Sequence, residues 1–135
     1  MAKAQRVIFM KVNLRDQPGV LLGVMQDLKS KKIALKSLWG FGKQDGGAEL
    51  YAIAKDPEKL RNAWKSPDLP AEEGTGFFLK GTDTTGVLVK SLEALSHANV
   101  NIRAINAIAL SGKYGTIIWV DPADVEKTAQ ALGAK

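Results

Sequence analysis

A repeat runs through the chain. Overlaying Gly19 on Gly86, an offset of 67 (86 − 19), places Asp16 on Asp83, Val20 on Val87, Leu21 on Leu88, Leu28 on Leu95, Ile33 on Val100, Leu35 on Ile102 and Leu38 on Ile105 without a gap. Asp56-Pro57 then falls on Asp121-Pro122 once the intervening hairpin is allowed to differ by two residues. A period of this size is the mark of a duplicated structural unit. The 135 residues therefore divide into two copies, each of about 65 residues and marginal alone, so the copies are expected to share an interface.

Each copy reads as strand, helix, two strands, helix. In the first, residues 6–13 are rich in Val, Ile and Phe and read as a strand. Pro18-Gly19 opens a helix whose Leu21, Val24 and Leu28 fall on one stripe. Residues 33–41 and 49–55 form a hairpin around the glycine-rich 42–47, and Asp56-Pro57-Glu58 starts a second helix, with Asp as N-cap and Pro in the first turn. In the second, residues 76–82 read as a strand and 87–98 as a helix with Leu88, Leu92 and Leu95 inward. Residues 99–110 and 114–121 form a hairpin around Ser111-Gly112-Lys113, and Asp121-Pro122 opens the last helix. The expected organisation is a first module over 1–66, a Pro-, Gly- and acid-rich linker over 67–75 and a second module over 76–135. Right-handed crossovers put both helices of a copy on one face of its sheet. The fold class is α+β, a tandem ferredoxin-like βαββα arrangement with antiparallel sheets.

Composition removes several classes of function. Hydrophobic residues at 45% and charged residues at 24% argue for a packed globular chain. With no cysteine there is no disulfide framework, thiolate nucleophile or cysteine zinc site. The single histidine, His97, has no flanking ligand cluster and reads as a surface helix residue. No nucleophile elbow, phosphate loop or dinucleotide fingerprint is present, so neither an enzyme nor a bound cofactor is expected. No run approaches a membrane span and the polar N-terminus lacks a signal core, which points to the cytoplasm. The net charge of +5 is spread over both halves, and its densest cluster, Lys29-Ser30-Lys31-Lys32, sits where a helix C-terminus favours cations.

The segment Asn13-Leu14-Arg15-Asp16-Gln17-Pro18-Gly19-Val20-Leu21 resembles the Asp-x-Pro-Gly-x-Leu turn of ACT domains, and Ile33-Ala34-Leu35 and Val100-Asn101-Ile102 are similar to that family's second-strand entry. The resemblance covers nearly the whole chain in two copies. It implies a regulatory protein that binds an amino acid or similar small effector at the interface between paired modules. Carried over by position, the ligand-binding residues are Asp16, Gln17, Pro18, Gly19, Val20 and Leu21 in the first copy and Asp83, Thr84, Thr85, Gly86, Val87 and Leu88 in the second. Elementary chemistry agrees: a helix start offers free N–H groups and partial positive charge to a carboxylate, and glycine lets a ligand reach the backbone. The same residues also suit capping alone, so the residues by themselves leave both readings open. The copies differ, Thr85 standing where the first has Pro18, and of the two turns the first is the one to test.

The family's module ends in a fourth strand, and neither copy shows an apolar stretch for it after its second helix. The uncovered edge is expected to pair, within the chain or between two chains. Expected partners are an amino-acid-like effector, a second copy in a homo-oligomer and a separate enzyme or regulator, without membrane or nucleic acid. Two alternatives remain: a pure oligomerisation module without ligand, and an RNA-recognition domain of similar architecture. Against the latter, the third strands lack the aromatic row that stacks bases.

Overall fold

The computed structural model describes residues 2–65 and 70–135. The elements are β1 Lys3–Arg15, α1 Val20–Ser30, β2 Leu35–Gly42, β3 Gly47–Ala54, α2 Pro57–Ala63, β4 Ala71–Thr82, α3 Val89–His97, β5 Ile102–Leu110, β6 Lys113–Val120, a single 3₁₀ turn Pro122–Asp124, and α4 Val125–Leu132. The chain forms two compact units, one over Ile8–Gly74 and the other over residues 2–7 with Thr75–Lys135. The mixed α+β class with antiparallel strands is the one the sequence implies.

In the first unit the strand order is β2-β3-β1-β4. Period-two alternation turns Met10 and Val12 of β1 and Leu50, Ala52 and Ala54 of β3 to one face, where Leu28 of α1 and Leu60 of α2 meet them beside Trp64. The β4 contribution is its opening stretch. Ala71 packs on this core, Glu72 lies 3.8 Å from the Lys11 ammonium, and Gly74 leaves no room for a Cβ beside the Phe9 ring. A fourth strand therefore exists, and it starts inside the 67–75 stretch that reads as linker. Its character is hidden in the sequence because Glu72 and Glu73 are both charged and exposed, Glu72 lying near Lys11 of β1 and Glu73 held by Arg61 of α2 at 2.7 Å. The linker positions 67–69, with Ser66, lie outside the described residues.

In the second unit the order is β1-β4-β6-β5, with the opening residues of β1 as the fourth strand. Phe77 and Leu79 of β4, Ile118 and Val120 of β6, Leu95 of α3 and Ala129 and Leu132 of α4 form its core. Ala2 and Ala4 pack against that core, and the Arg6 guanidinium is paired with the Glu126 carboxylate on α4 at 2.8 Å. The fourth strand of the first unit is thus the opening of β4, which follows α2 in the chain, and that of the second unit is the opening of β1. β1 spans 13 residues and β4 spans 12, where about six is ordinary.

Helix ends follow local rules. α1 closes with Ile33 N–H donating to Leu28 O at 2.9 Å across Lys32 at φ 57°, and α3 repeats this with Val100 donating to Leu95 O across Asn99 at φ 59°. The lysine cluster lies at this α1 terminus, where Lys31 also pairs with Asp27 at 2.9 Å. Asp56 and Asp121 cap their helices, accepting from Glu58 N–H and Ala123 N–H. Two inward placements are corrected. Leu21 shares the α1 stripe but sits in its first turn, beyond the end of the core, and is exposed. Leu92 is displaced to the flank of α3 because the fully buried Ser91 takes the inward position.

Candidate functional site

Both Gly-bearing turns have one geometry. Val20 N–H donates to Gln17 O at 3.3 Å with Gly19 at φ 86°, and Val87 N–H donates to Thr84 O at 3.1 Å with Gly86 at φ 73°. A positive φ at the third turn position is the type II pattern, which favours glycine there. Each turn is tied to the hairpin loop of its copy, Asp16 N–H donating to Gly46 O at 3.0 Å and Asp83 N–H to Gly112 O at 2.9 Å. Neither helix start receives a side-chain cap. The aspartates therefore do not act as N-caps, which removes the simplest structural explanation for the motif.

The copies diverge in what surrounds the turn. A cavity of about 450 Å³ opens at the second turn, lined by Thr84, Thr85, Gly86 and Val87 together with Lys80, Gly81, Thr82, Lys90, Tyr114, Ala2 and Lys3. All of these belong to the second unit. Of the twelve residues expected to bind, the cavity gathers four. Asp83 lies outside the lining, and Leu88 packs into the core. At the first turn Asp16, Gln17, Pro18, Gly19 and Leu21 are exposed and Val20 is half-buried. The Asp16 carboxylate there fills the space that a Cβ on Gly42 would need.

One paired position accounts for much of the difference. In the second unit Gly81 faces Tyr114 across β4 and β6, whereas the corresponding pair in the first unit is Leu14 facing Ala48. Bulk moves from one strand to the other, and a Cβ on Gly81 would stand 2.8 Å from Tyr114 Cε1. The ring edge occupies the space beside the glycine, and Tyr114 is 6% exposed. Its hydroxyl is buried and has no hydrogen-bond partner among the described residues. Loss of water around it raises the Tyr114 pKa above that of free tyrosine. A buried hydroxyl without a partner carries a desolvation cost, on the order of 1–3 kcal/mol, that a ligand acceptor would relieve. The signal for this site was the break in the repeat at Leu14/Gly81 and Ala48/Tyr114, not the motif itself.

Three lysines, Lys3, Lys80 and Lys90, line the cavity, and no acidic residue does. None of the three forms an ion pair among the described residues, unlike Lys11, Lys31, Lys43 and Lys127. Among the described residues no group of three His, Cys, Asp or Glu side chains could hold a metal, and His97 is exposed on α3.

The first unit carries a different feature on the sheet face away from its helices. Phe9, Trp39, Phe41 and Tyr51 cluster there, Trp39 and Tyr51 stacking at 5.3 Å and Phe9 and Tyr51 meeting at 5.9 Å. The aromatics come from β1, β2 and β3 together, so reading the third strand alone underestimates them. Trp64 and Trp119 are buried, as large isolated aromatics are expected to be, whereas Trp39 is half-buried in this cluster.

No protein-family profile matches the chain, and no curated protein matches it. Solved structures do. A Bacteroides thetaiotaomicron protein is similar with a TM-score of 0.84 at 21% identity, over 98% of this chain and 90% of that one. The ligand-free regulatory subunit of aspartate kinase from Thermus thermophilus gives 0.67 at 18% identity, over 98% and 94% of the two chains. The corresponding subunit from Thermus flavus gives 0.59 at 19% identity, over 98% and 97%. At these identities the likeness concerns the fold alone. Among the described residues no helix is long and apolar enough to cross a membrane.

Proposed function

We propose that the chain is a non-catalytic regulatory protein that binds an amino acid or similar small effector at the Gly86 turn of its second copy and transmits binding through assembly or a separate partner. The observation that carries this reading is the 450 Å³ cavity formed by the Thr84–Val87 turn with Tyr114 and Lys90. Its size suits a small metabolite, for which pockets run from about 300 to 1,000 Å³. The turn at the start of α3 favours a carboxylate, and the glycine lets it reach the backbone. The similarity in fold to two regulatory subunits of aspartate kinase supports a regulatory role and an enzyme as the partner. The first turn then serves structure alone.

Binding acts by linkage: an effector that prefers one state of the protein stabilises it by the difference in affinity, and the shift passes to the partner. A thermal-shift screen of the full chain with the twenty amino acids and related carboxylates tests the reading. A hit whose effect disappears in Gly86→Ala and persists in Gly19→Ala supports it, and the absence of any hit sinks it.

A second reading has its own observation. β5, an edge strand, exposes Ile108 at 68% and Leu110 at 74% with no charged residue between Ala104 and Leu110. Edge strands of this kind are ready to pair. A pure assembly module would use that strand and ignore every effector, and sedimentation of an Ile108→Lys variant separates the roles. Loss of a dimer in the variant with no effector response in either protein favours assembly alone.

A further inference from the structure

The charge around the cavity says more about the ligand than the turn does. Lys3, Lys80 and Lys90 come from β1, β4 and α3 and meet at one opening, which no carboxylate lines. Among the described residues none of the three is neutralised by an ion pair, so about three positive charges gather there at neutral pH. Asp83, the group that would receive the ammonium of a zwitterionic amino acid, lies outside the lining. The hydroxyls of Thr84 and Thr85 stand at the same opening, and the Tyr114 hydroxyl, 94% screened with its residue, lacks an acceptor. The site is thus rich in donors and cations and has no anionic side chain of its own.

Resting on the assignment of the Gly86 turn as the effector site, we infer that its ligand is a small compact polyanion carrying two or more negative charges, held by Lys3, Lys80 and Lys90 with the Tyr114 hydroxyl donating to one of its oxygens. A phosphoryl group and a dicarboxylate share this chemistry. An amino acid with net charge zero would leave the lysines uncompensated.

The experiment uses the full chain and four probes: pyrophosphate, inorganic phosphate, succinate and glycine, each followed by thermal shift and by calorimetric titration. A dianion at about 100 times its Kd raises the Tm by roughly 5 °C or more. Response to the phosphates alone identifies a phosphoryl ligand, and response to succinate identifies a dicarboxylate. Binding weakens as salt rises from about 50 to about 500 mM. In Lys80→Ala/Lys90→Ala, at two exposed positions, affinity falls about tenfold or more, the range expected for lost charge-assisted hydrogen bonds. Tyr114→Phe gives the readout that a structural role would not: the ligand-free Tm holds or rises, because a partnerless hydroxyl is gone, while the dianion affinity falls.

Three results overturn the inference. A dianion response that survives in the double lysine variant does so, as does one unchanged in Tyr114→Phe. The third is a response to glycine, lost in Gly86→Ala, with none to the dianions; the effector site at this turn would then stand and its polyanionic character would fall. Silence from all four probes, together with no hit among the amino acids, removes both.

Discussion

Gly81 and Tyr114 make the second turn unlike the first, and adding one methyl group at Gly81 tests that pairing. The Cβ of Gly81→Ala would lie 2.8 Å from Tyr114 Cε1 and 3.4 Å from its hydroxyl, where ordinary contact begins at 3.4 Å. The ring must retreat by roughly half an ångström or more in a core packed at crystal density. Tyr114 is 6% exposed, so the retreat disturbs its neighbours. Overpacking of this kind costs about 1–3 kcal/mol, and alanine recovers about 0.5–1 kcal/mol over glycine within a strand, leaving a net loss of up to about 2.5 kcal/mol. In Tyr114→Ala the obstacle is absent, and the same Gly81→Ala change then stabilises by about 0.5–1 kcal/mol. The two backgrounds therefore differ by about 1–3 kcal/mol, a coupling that a double-mutant cycle by urea denaturation resolves. A Gly81→Ala effect of equal size in both backgrounds would refute the claim that the tyrosine ring lies on the glycine.

Lys32→Gly raises stability by about 1 kcal/mol, because a side chain at φ 57° gives way to the residue that prefers it. Asn99→Gly gains less, since Asn tolerates that conformation, and chemical denaturation compares the two. Gly74→Ala destabilises by about 1–3 kcal/mol through the Phe9 ring, and Phe9→Ala removes most of that cost; an equal loss in both backgrounds would mean that the β4 opening does not lie on β1. The Lys11 ammonium at 2.9 Å holds the Glu49 carboxyl below its usual range, and hydrogen bonds from Arg61 do the same for Glu73. Depressed carboxyl pKa values give stability that is complete above the unfolded value, near 4.3, and is lost as pH falls through the folded values. Glu49→Gln therefore loses roughly 0.5–1 kcal/mol at pH 7 and shows a shallower decline toward acid pH, checked by melting curves between pH 2 and 7.

The duplication carried most of the fold into the sequence. Repeated hydrophobic spacing located every helix and the two hairpins, because the inward residues Leu28 and Leu95 or Ala52 and Ile118 are set by periods of 3.6 and 2. The fourth strands were not legible for a physical reason. Ala71 is the sole inward apolar residue before Gly74, and Glu72 and Glu73 draw their ion pairs from Lys11 and Arg61, residues distant in sequence. Residues 2–5, of which Ala2 and Ala4 pack against the second core, similarly read as a polar leader ahead of the strand over 6–13. Of the site, the glycine turns were visible as Pro18-Gly19 and Gly86. The cavity depends on Tyr114 and Gly81 meeting across two strands 33 positions apart, which only the pairing register reveals.

Amide chemical-shift mapping of the full chain, titrated with pyrophosphate and with the amino-acid hits of the screen, tests most directly whether the second turn is the effector site. Shifts concentrated at Thr84, Thr85, Gly86, Val87 and Lys90, with Tyr114 moving and Gln17, Gly19 and Val20 still, are the predicted result. Shifts confined to Gln17, Gly19 and Val20, or none at either turn, would contradict it.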